Sequence, residues 1–200
     1  MTERELIQRC RDRDREAQRE AYARTCRQIY RLLIRMTGNE DDALDLTQET
    51  YVRAFSRIHE FDGRSTLATW LYRIAFNQAL QLLRGADKTK SKLRLLAAED
   101  RAESSEISHT TRLDVNDALA TLKPADRAIL LLRYQEGLDY RAIAETMGST
   151  MGTVASRLNR ARSRLRELLQ KSYEFREGTT AADHPKNVRG VSVKEGPQAD

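Results

Sequence analysis

Residues 139–158 read DYRAIAETMGSTMGTVASRL and predict two short helices joined by a tight turn. Asp139 can cap the first helix, and Gly148 suits the turn because glycine adopts the left-handed backbone conformation without steric cost. Thr150 can cap the second helix, whose outer face carries small residues, an asparagine and several arginines. Small residues let a backbone approach the major groove of DNA, where arginine and asparagine read base edges. The stretch therefore predicts a helix-turn-helix that binds DNA, and a helical hairpin with a solvated basic face is the alternative interpretation.

A second helical block surrounds this motif and spans residues 111–172. Upstream of the motif, a pattern rich in leucine and alanine predicts two further helices. The second of them should begin at Pro124, because proline suits the first turn of a helix. The block is thus predicted to form a four-helix module. The residues expected to face inward on its last helix are Met151, Val154, Leu158, Ala161, Leu165 and Leu168.

A first helical block spans residues 1–84 and shows the apolar period of amphipathic helices. One helix should end near Gly38, and an acidic helix should begin at Glu40, since acidic residues suit the positive end of a helix. Its apolar set of Leu44, Thr47 and Tyr51 is expected to face inward. A loop follows at residues 61–65, and Ser65 or Thr66 can cap the next helix.

Two segments lack this periodicity. Residues 85–110 are polar and rich in serine, which predicts a flexible linker. Residues 173–200 carry glycines and prolines and predict a mostly disordered tail. The sequence therefore predicts an all-α fold of two small helical modules joined by a flexible linker.

Charge is distributed unevenly along the chain, which has a formal net charge of +5. Residues 37–62 hold seven acidic residues against two basic ones. Residues 63–92 and residues 151–172 each hold six basic residues against one acidic residue. Such blocks favour different partners for different surfaces, and the basic ones suit a polyanion. Solvated charged faces are the alternative interpretation for any single block.

The sequence lacks the patterns of catalytic, metal and cofactor sites. Cys10 and Cys26 are its two cysteines, and they form no CxxC motif or metal-ligand pattern with histidine. The three histidines lie far apart, and no nucleophile–base set or phosphate-binding loop appears. No apolar stretch approaches the roughly 20 residues that span a bilayer. We expect a cytoplasmic protein with no catalytic residues, metal, cofactor or membrane insertion.

Stretches of both blocks resemble one known family, in order and in spacing. DDALDLTQETYVRAF (residues 41–55) resembles region 2.2 of the extracytoplasmic-function sigma factors, and FDGRSTLATWLYRIAFN (residues 61–77) resembles their regions 2.3 and 2.4. LKPADRAILLLRYQEGLDYRAIA (residues 122–144) and GTVASRLNRARSRL (residues 152–165) resemble region 4 of this group within the sigma-70 family. The resemblance implies sigma region 2 over residues 1–84, a linker over 85–110, sigma region 4 over 111–172 and a tail over 173–200.

The resemblance implies that the chain directs RNA polymerase core to promoters and promotes DNA melting. It implies docking on the clamp coiled coil of the largest polymerase subunit and on the flap, and an anti-sigma protein as a further partner. Residues implied in polymerase binding are Asp41, Asp42, Asp45, Gln48 and Glu49. Residues implied at the −10 DNA element are Phe61, Arg64, Ser65, Thr66, Arg73 and Asn77. Residues implied at the −35 DNA element are Arg141, Thr153, Ala155, Ser156, Arg157, Asn159 and Arg160.

The sequence also departs from the family pattern. Ala155 stands where many members carry lysine or arginine, so one base or phosphate contact is absent there. Trp70 and Tyr72 both suit stacking on bases; at helical spacing Trp70 is interpreted as a core residue, with stacking as the alternative, and the role of Tyr72 is left open. The alternative function is a stand-alone helix-turn-helix regulator, which would bind duplex DNA without polymerase. An enzyme and a pure protein-interaction decoy fit the sequence less well.

Overall fold

The computed structural model describes residues 1–97 and 115–180, with side chains described for residues 1–86 and 115–170. Throughout those residues the regular elements are helical, so the predicted all-α fold is confirmed. Helices before the gap form one module, and helices after it form a second one. The two are called the first and second module below.

Four helices and one short turn build the first module. They are α1 (Glu3–Arg11), α2 (Arg15–Thr37), α3 (Glu40–Ser56), a single turn of 3-10 helix (Ile58–Glu60) and α4 (Leu67–Ala97). Asp14 caps α2 by accepting hydrogen bonds from the backbone N–H groups of Glu16 and Ala17. Asn39 caps α3 by accepting from the N–H of Asp42 at 2.9 Å. Both caps satisfy donors that a helix start would otherwise leave unpaired.

Four helices also build the second module. They are α5 (Val115–Ala120), α6 (Pro124–Leu130), which continues as a π-helical turn (Leu131–Gln135), α7 (Tyr140–Met147) and α8 (Met151–Thr180). Pro124 occupies the first turn of α6, as predicted. The helix-turn-helix is formed by α7 and α8.

Helices α4 and α8 both extend beyond their predicted ends. Helix α4 continues through Ala97, so the first part of the segment predicted as a flexible linker is helical. Helix α8 continues through Thr180, so the start of the predicted tail is helical as well. The stretch 86–97 is rich in lysine, leucine and alanine, which favour helix even where no apolar period is visible. The rest of both predicted segments lies outside the described residues.

The two modules pack against each other. Helix α4 of the first module lies along α7 of the second, and buried residues of both modules form one continuous cluster. Ala75 and Ala79 of α4 and Ile143 of α7 are all fully buried within it. The sequence-based expectation of two modules on a flexible tether did not include this interface.

A buried carboxylate joins the modules. The side chain of Glu136, 1% exposed, accepts hydrogen bonds from both Nε and Nη2 of Arg31 on α2 and from the hydroxyl of Tyr72 on α4. Burial by itself would raise the pKa of Glu136. The hydrogen bonds from Arg31, Tyr72 and Gln135 outweigh that effect and hold the pKa below its ordinary value.

A buried guanidinium makes a second connection. Arg127 of α6 is 7% exposed, and its Nε and Nη2 donate to the carbonyls of Leu119 and Ala120 at the end of α5. Its Nη1 donates to the carbonyl of Met36 in the last turn of α2, at 2.5 Å. Burial lowers the pKa of Arg127. One side chain thus satisfies carbonyls at the ends of two helices in different modules.

Candidate polymerase and nucleic-acid interfaces

The acidic helix α3 presents most of its predicted docking residues to solvent. Asp41, Asp45, Gln48 and Glu49 are exposed, and Asp42 is half-buried. Glu49 is paired with Arg53 one turn later, Arg53 Nε donating to it at 2.9 Å. The exposed face therefore keeps acidic and amide groups that a basic partner could contact.

The inward face of α3 differs from the prediction at one residue. Thr47 and Tyr51 are buried as expected, but Leu44 is 45% exposed and Leu46 is buried in its place. The choice of Leu44 was wrong because the face that packs on α2 and α4 is rotated toward position 46. Leu44 and the 70% exposed Val52 consequently lie among the acidic residues of the outer face. This surface combines apolar contact area with negative charge.

The loop predicted to read the −10 element lies between the 3-10 turn and α4. We call residues 61–66 the reader loop. Asp62 Oδ1 accepts a hydrogen bond from the N–H of Arg64, and Gly63 between them has a φ of +76°, which favours glycine. The Arg64 side chain is 85% exposed and pairs with Asp62 at 2.5 Å. The guanidinium is thus held at the loop tip, open to solvent.

The remaining residues of the reader loop divide into anchors and exposed groups. Thr66 caps α4, its hydroxyl accepting from the N–H of Thr69 at 3.1 Å, and Ser65 is half-buried. Phe61 is only 2% exposed, and its ring packs on Trp70 at a centroid distance of 5.4 Å. Phe61 therefore anchors the loop from the core, with its ring covered by this packing. Trp70 is half-buried in the same apolar contact, which favours the core interpretation.

Helix α4 carries the other residues predicted at the −10 element. Arg73 and Asn77 are exposed, four residues apart and so on one face of the helix. Tyr72, left open by the sequence, is buried and bonded to Glu136. Burial and the neighbouring carboxylate raise the pKa of Tyr72. Tyr72 thus belongs to the interface between the modules.

A cleft of about 670 Å³ lies beside the packed contact, between one face of α4 and the second module. Asn77 and Arg84 line its α4 wall, and Met147 and Arg157 line the opposite wall. A residue predicted to read the −10 element and a residue predicted to read the −35 element therefore face one cleft.

The helix-turn-helix has the local geometry that its sequence predicts. Asp139 Oδ1 accepts from the N–H of Ala142 at 2.7 Å and caps α7. Gly148 adopts the left-handed conformation, with φ +59° and ψ +43°. The Thr150 hydroxyl accepts from the N–H of Thr153 at 3.2 Å and caps α8. Because both caps and the turn are in place, the start of α8 is fixed relative to α7.

The outer face of α8 is open to solvent at most predicted positions. Val154, Leu158 and Ala161 are buried as expected, whereas Met151 is 58% exposed because it occupies the first position of the helix, before the packed face begins. Arg157 is partly covered and lies 3.8 Å from Asp126. The predicted contacts that are exposed are Arg141, Thr153, Ser156, Asn159 and Arg160, and Ala155 is half-buried.

Family models match both modules of the chain. The model of sigma-70 region 2 matches residues 21–89, and the model of sigma-70 region 4 matches residues 112–165. The chain belongs to the sigma-70 family. Within this family it is similar to extracytoplasmic-function members, as the resemblance of its motifs implied. A stand-alone regulator would have no need of region 2, so the alternative function gains no support.

Curated sigma factors match over most of the chain. An ECF RNA polymerase sigma-E factor of Haemophilus influenzae is 30% identical over 85% of this chain and 96% of the relative. SigW of Bacillus subtilis, also an ECF RNA polymerase sigma factor, is 31% identical over 71% of this chain and 83% of the relative. SigE of Mycolicibacterium smegmatis is 38% identical over 72% of this chain, which spans only 58% of that longer sigma factor.

Two solved structures share the fold of this chain. The sigma factor RpoE of Bartonella quintana, in complex with the anti-sigma factor NepR, superimposes with a TM-score of 0.60 at 25% identity. That match covers 76% of this chain and 96% of RpoE. CnrH, in complex with the cytosolic domain of CnrY, gives a TM-score of 0.64 at 22% identity over 84% of this chain and 97% of CnrH.

The described part of this sigma factor has neither a metal-binding cluster nor a membrane-spanning helix. Among the described side chains, those of residues 1–86 and 115–170, no group of three or more histidine, cysteine, aspartate or glutamate residues is arranged to hold a metal ion. No helix in the same residues combines the length and apolar character needed to cross a membrane.

Proposed function

We propose that this chain directs RNA polymerase core to specific promoters and helps to melt them, with no covalent chemistry of its own. The observation that carries the proposal is the presence, in family order, of region 2 and region 4 on one chain. The chain acts in the cytoplasm, where the polymerase works. An anti-sigma protein is a further proposed partner, supported by the complex of the related RpoE with NepR.

The proposed polymerase contact is the outer face of α3. Asp41, Asp45, Gln48 and Glu49 supply charge and hydrogen-bond acceptors there, with Asp42 at the edge. Leu44 and Val52 add exposed apolar area to the same helix. Interfaces of this kind gain affinity from buried apolar contacts and orientation from the charged groups around them. We propose that this face docks on the clamp coiled coil of the polymerase. Region 4 is proposed to dock on the flap.

The proposed −10 contact is the reader loop with the exposed face of α4. Ser65, Thr66 and the exposed Arg64 would hold an unpaired base and its flanking phosphates, and Asn77 would read a base edge. Arg73, one turn before Asn77, would hold the backbone. Phe61 would contribute by anchoring the loop from the core.

The proposed −35 contact is the outer face of α8. Ser156, Asn159 and Arg160 would enter the major groove, with Ala155 near the base edges and Arg157 beside them. Arg141 and Thr153 would contact phosphates on either side of the groove.

Simultaneous reading of both elements requires the two modules to separate. The names of the elements put them about 25 base pairs apart, which is about 85 Å of duplex at 3.4 Å per base pair. Asn77 and Arg157, by contrast, line a single cleft of about 670 Å³. The packed arrangement therefore corresponds to the chain off the promoter.

Run-off transcription with purified bacterial core polymerase and a genomic promoter library tests the proposal. Transcripts that depend on the chain should share two spaced upstream motifs. Asn77→Ala should remove them by weakening the −10 contact. The double variant Asp45→Arg with Glu49→Arg should remove them by weakening binding to core polymerase, measured by co-purification.

The double variant Glu16→Arg with Glu20→Arg is the matched control. It makes the same charge change at the same i, i+4 spacing on α2, a different helix from the one that carries the proposed docking face. Transcription by this control should equal that of the parent chain. Tight duplex binding by the parent without polymerase, combined with no dependent transcripts, would overturn the proposal in favour of a stand-alone regulator.

A further inference from the structure

Helix α1 holds both ends of the reader loop, although it precedes the segment matched by the region 2 model, which begins at residue 21. At the start of the loop, Arg11 Nη2 donates to the carbonyl of Phe61 at 2.5 Å. At its end, Glu3 Oε1 accepts from the N–H of Leu67 at 2.6 Å. These contacts join residues 50 and 64 positions apart in the chain.

The two contacts fix the loop ends and leave the middle free. Phe61 and Leu67 are buried, so their side chains hold the loop from the core while α1 holds their backbones. Between them, Asp62, Gly63 and Arg64 are exposed. A loop fixed at both ends by one helix keeps a defined separation from that helix.

A cleft of about 890 Å³ lies between α1 and the reader loop. The side chains of Ile7, Gln8 and Arg11 line it from α1, and Asp62 and Ser65 line it from the loop. Ile7 is half-buried and supplies an apolar surface, while Gln8 supplies hydrogen-bond donors and an acceptor. The Arg11 guanidinium is engaged with the Phe61 carbonyl. An apolar face beside a few polar groups is the environment that enzymes and readers use for an extruded base.

We propose that α1 forms the second wall of the pocket that receives the unpaired −10 base, with Arg11 and Glu3 as positioning residues for the reader loop. The proposal rests on the proposed function, since it assumes that the reader loop contacts the −10 element. It adds that base preference is set jointly by the loop and by a helix outside the matched region 2 segment. Arg11 and Glu3 act through the backbone of Phe61 and Leu67, so they influence preference without reading the base themselves.

The test measures base preference separately from overall activity. Full-length chain and core polymerase transcribe a barcoded promoter set that carries every single-base substitution in the −10 element and, separately, in the −35 element. Arg11→Met and Glu3→Met remove one contact each from opposite ends of the loop, since methionine neither donates to the Phe61 carbonyl nor accepts from the Leu67 N–H as the native side chains do. Arg9→Met is the matched control, because Arg9 lies on the same helix but pairs with Asp14.

Arg11→Met and Glu3→Met should each reduce discrimination at the same −10 position by about fivefold, the lower end of what loss of a direct base contact costs, because both residues act through the loop backbone. For both variants, the ranking of the −35 promoter substitutions should stay as in the parent. The melting temperature of the Arg9→Met control should also equal that of the parent. A uniform fall across all promoters with unchanged −10 preference would overturn the proposal and leave α1 a merely structural role. So would unchanged preference with full activity.

The parent chain separates this outcome from failure of the proposed function. If the parent yields no dependent transcripts, the proposed function is overturned and the role of α1 with it. If the parent shows a clear −10 preference that both α1 variants retain, the role of α1 alone is overturned. Binding to core polymerase, measured for each variant by co-purification, shows that the first module has folded, because the proposed docking face is on α3 of that module.

Discussion

The hydroxyl of Tyr72 donates a 2.6 Å hydrogen bond to Glu136 Oε2, and this bond crosses from α4 of the first module to the turn that follows α6 in the second. Glu136 also pairs with Arg31 of α2, so one carboxylate contacts two helices of the other module. The carboxylate is almost fully covered, whereas Arg31 remains 43% exposed. Water is therefore excluded from the carboxylate of this pair, whereas the guanidinium stays partly hydrated.

Glu136→Gln is expected to loosen the interface between the modules. The amide keeps the shape of the side chain and can still accept from Tyr72, but it loses the charge that Arg31 pairs with. We expect the free energy of unfolding to fall by about 1–2 kcal/mol. Urea denaturation measures this, and small-angle scattering should show a larger radius of gyration. Glu145→Gln, which removes only a more exposed partner of Arg141, should leave both quantities unchanged.

The same carboxylate predicts an acid-sensitive interface. Because the folded pKa of Glu136 lies below the ordinary value of 4.5, its contribution to stability is fully present above that value. It is lost as the pH falls through the lower folded pKa. Unfolding measured at pH values from about 6 down to about 3 should therefore show a loss of stability in the parent that Glu136→Gln lacks at this site. Parallel pH profiles for the two proteins would contradict the assignment.

Arg127→Lys is expected to destabilise the chain although the charge is kept. Arginine donates in a planar fork to Leu119, Ala120 and Met36, and a lysine ammonium cannot reach carbonyls at both helix ends. We expect a loss of about 2 kcal/mol, because buried carbonyls lose their donors. Differential scanning calorimetry gives the shift. The same replacement at Arg141, whose side chain is 75% exposed, should change stability by less than about 0.5 kcal/mol.

Two glycines of the helix-turn-helix should respond in opposite directions to alanine. Gly148 has a φ of +59°, so Gly148→Ala should cost about 1 kcal/mol even though the added Cβ has open space around it. Gly152 lies in the first turn of α8, where an added Cβ meets only Thr150 Oγ1 at 4.0 Å. Gly152→Ala should therefore stabilise the chain by about 0.5 kcal/mol. Urea denaturation of both variants checks the prediction, and equal losses would refute it.

Local signals allowed the helix-turn-helix to be predicted closely from the sequence. Asp139, Gly148 and Thr150 act within four residues of their own partners, so residue type and spacing are enough to assign them. Pro124 is another such signal, because its effect on a helix start is built into its own ring. The exposure of Met151 could not be predicted from periodicity, which gives the face of a residue but does not show where packing begins.

Tertiary contacts account for what the sequence did not predict. Periodicity assigns charged residues to the surface, yet Arg127 is buried, and so is the side chain of Glu136, because groups distant in the chain satisfy them. The contacts of Glu3 and Arg11 with the backbone at the ends of the reader loop could not be predicted either, since nothing in the sequence of α1 indicates partners 64 and 50 positions away. The choice between Leu44 and Leu46 likewise depended on how α2 and α4 pack on α3.

Because Asn77 and Arg157 line one cleft, the two proposed DNA contacts depend on the same separation of the modules. Any ligand that binds only the separated form must first supply the free energy of the interface that Glu136 and Arg127 hold together. Once one ligand has done so, the second binds to modules that are already apart. By linkage, the two proposed promoter contacts should then raise each other's affinity by the same factor. Cooperativity between two distant DNA sites thus follows from one intramolecular contact surface.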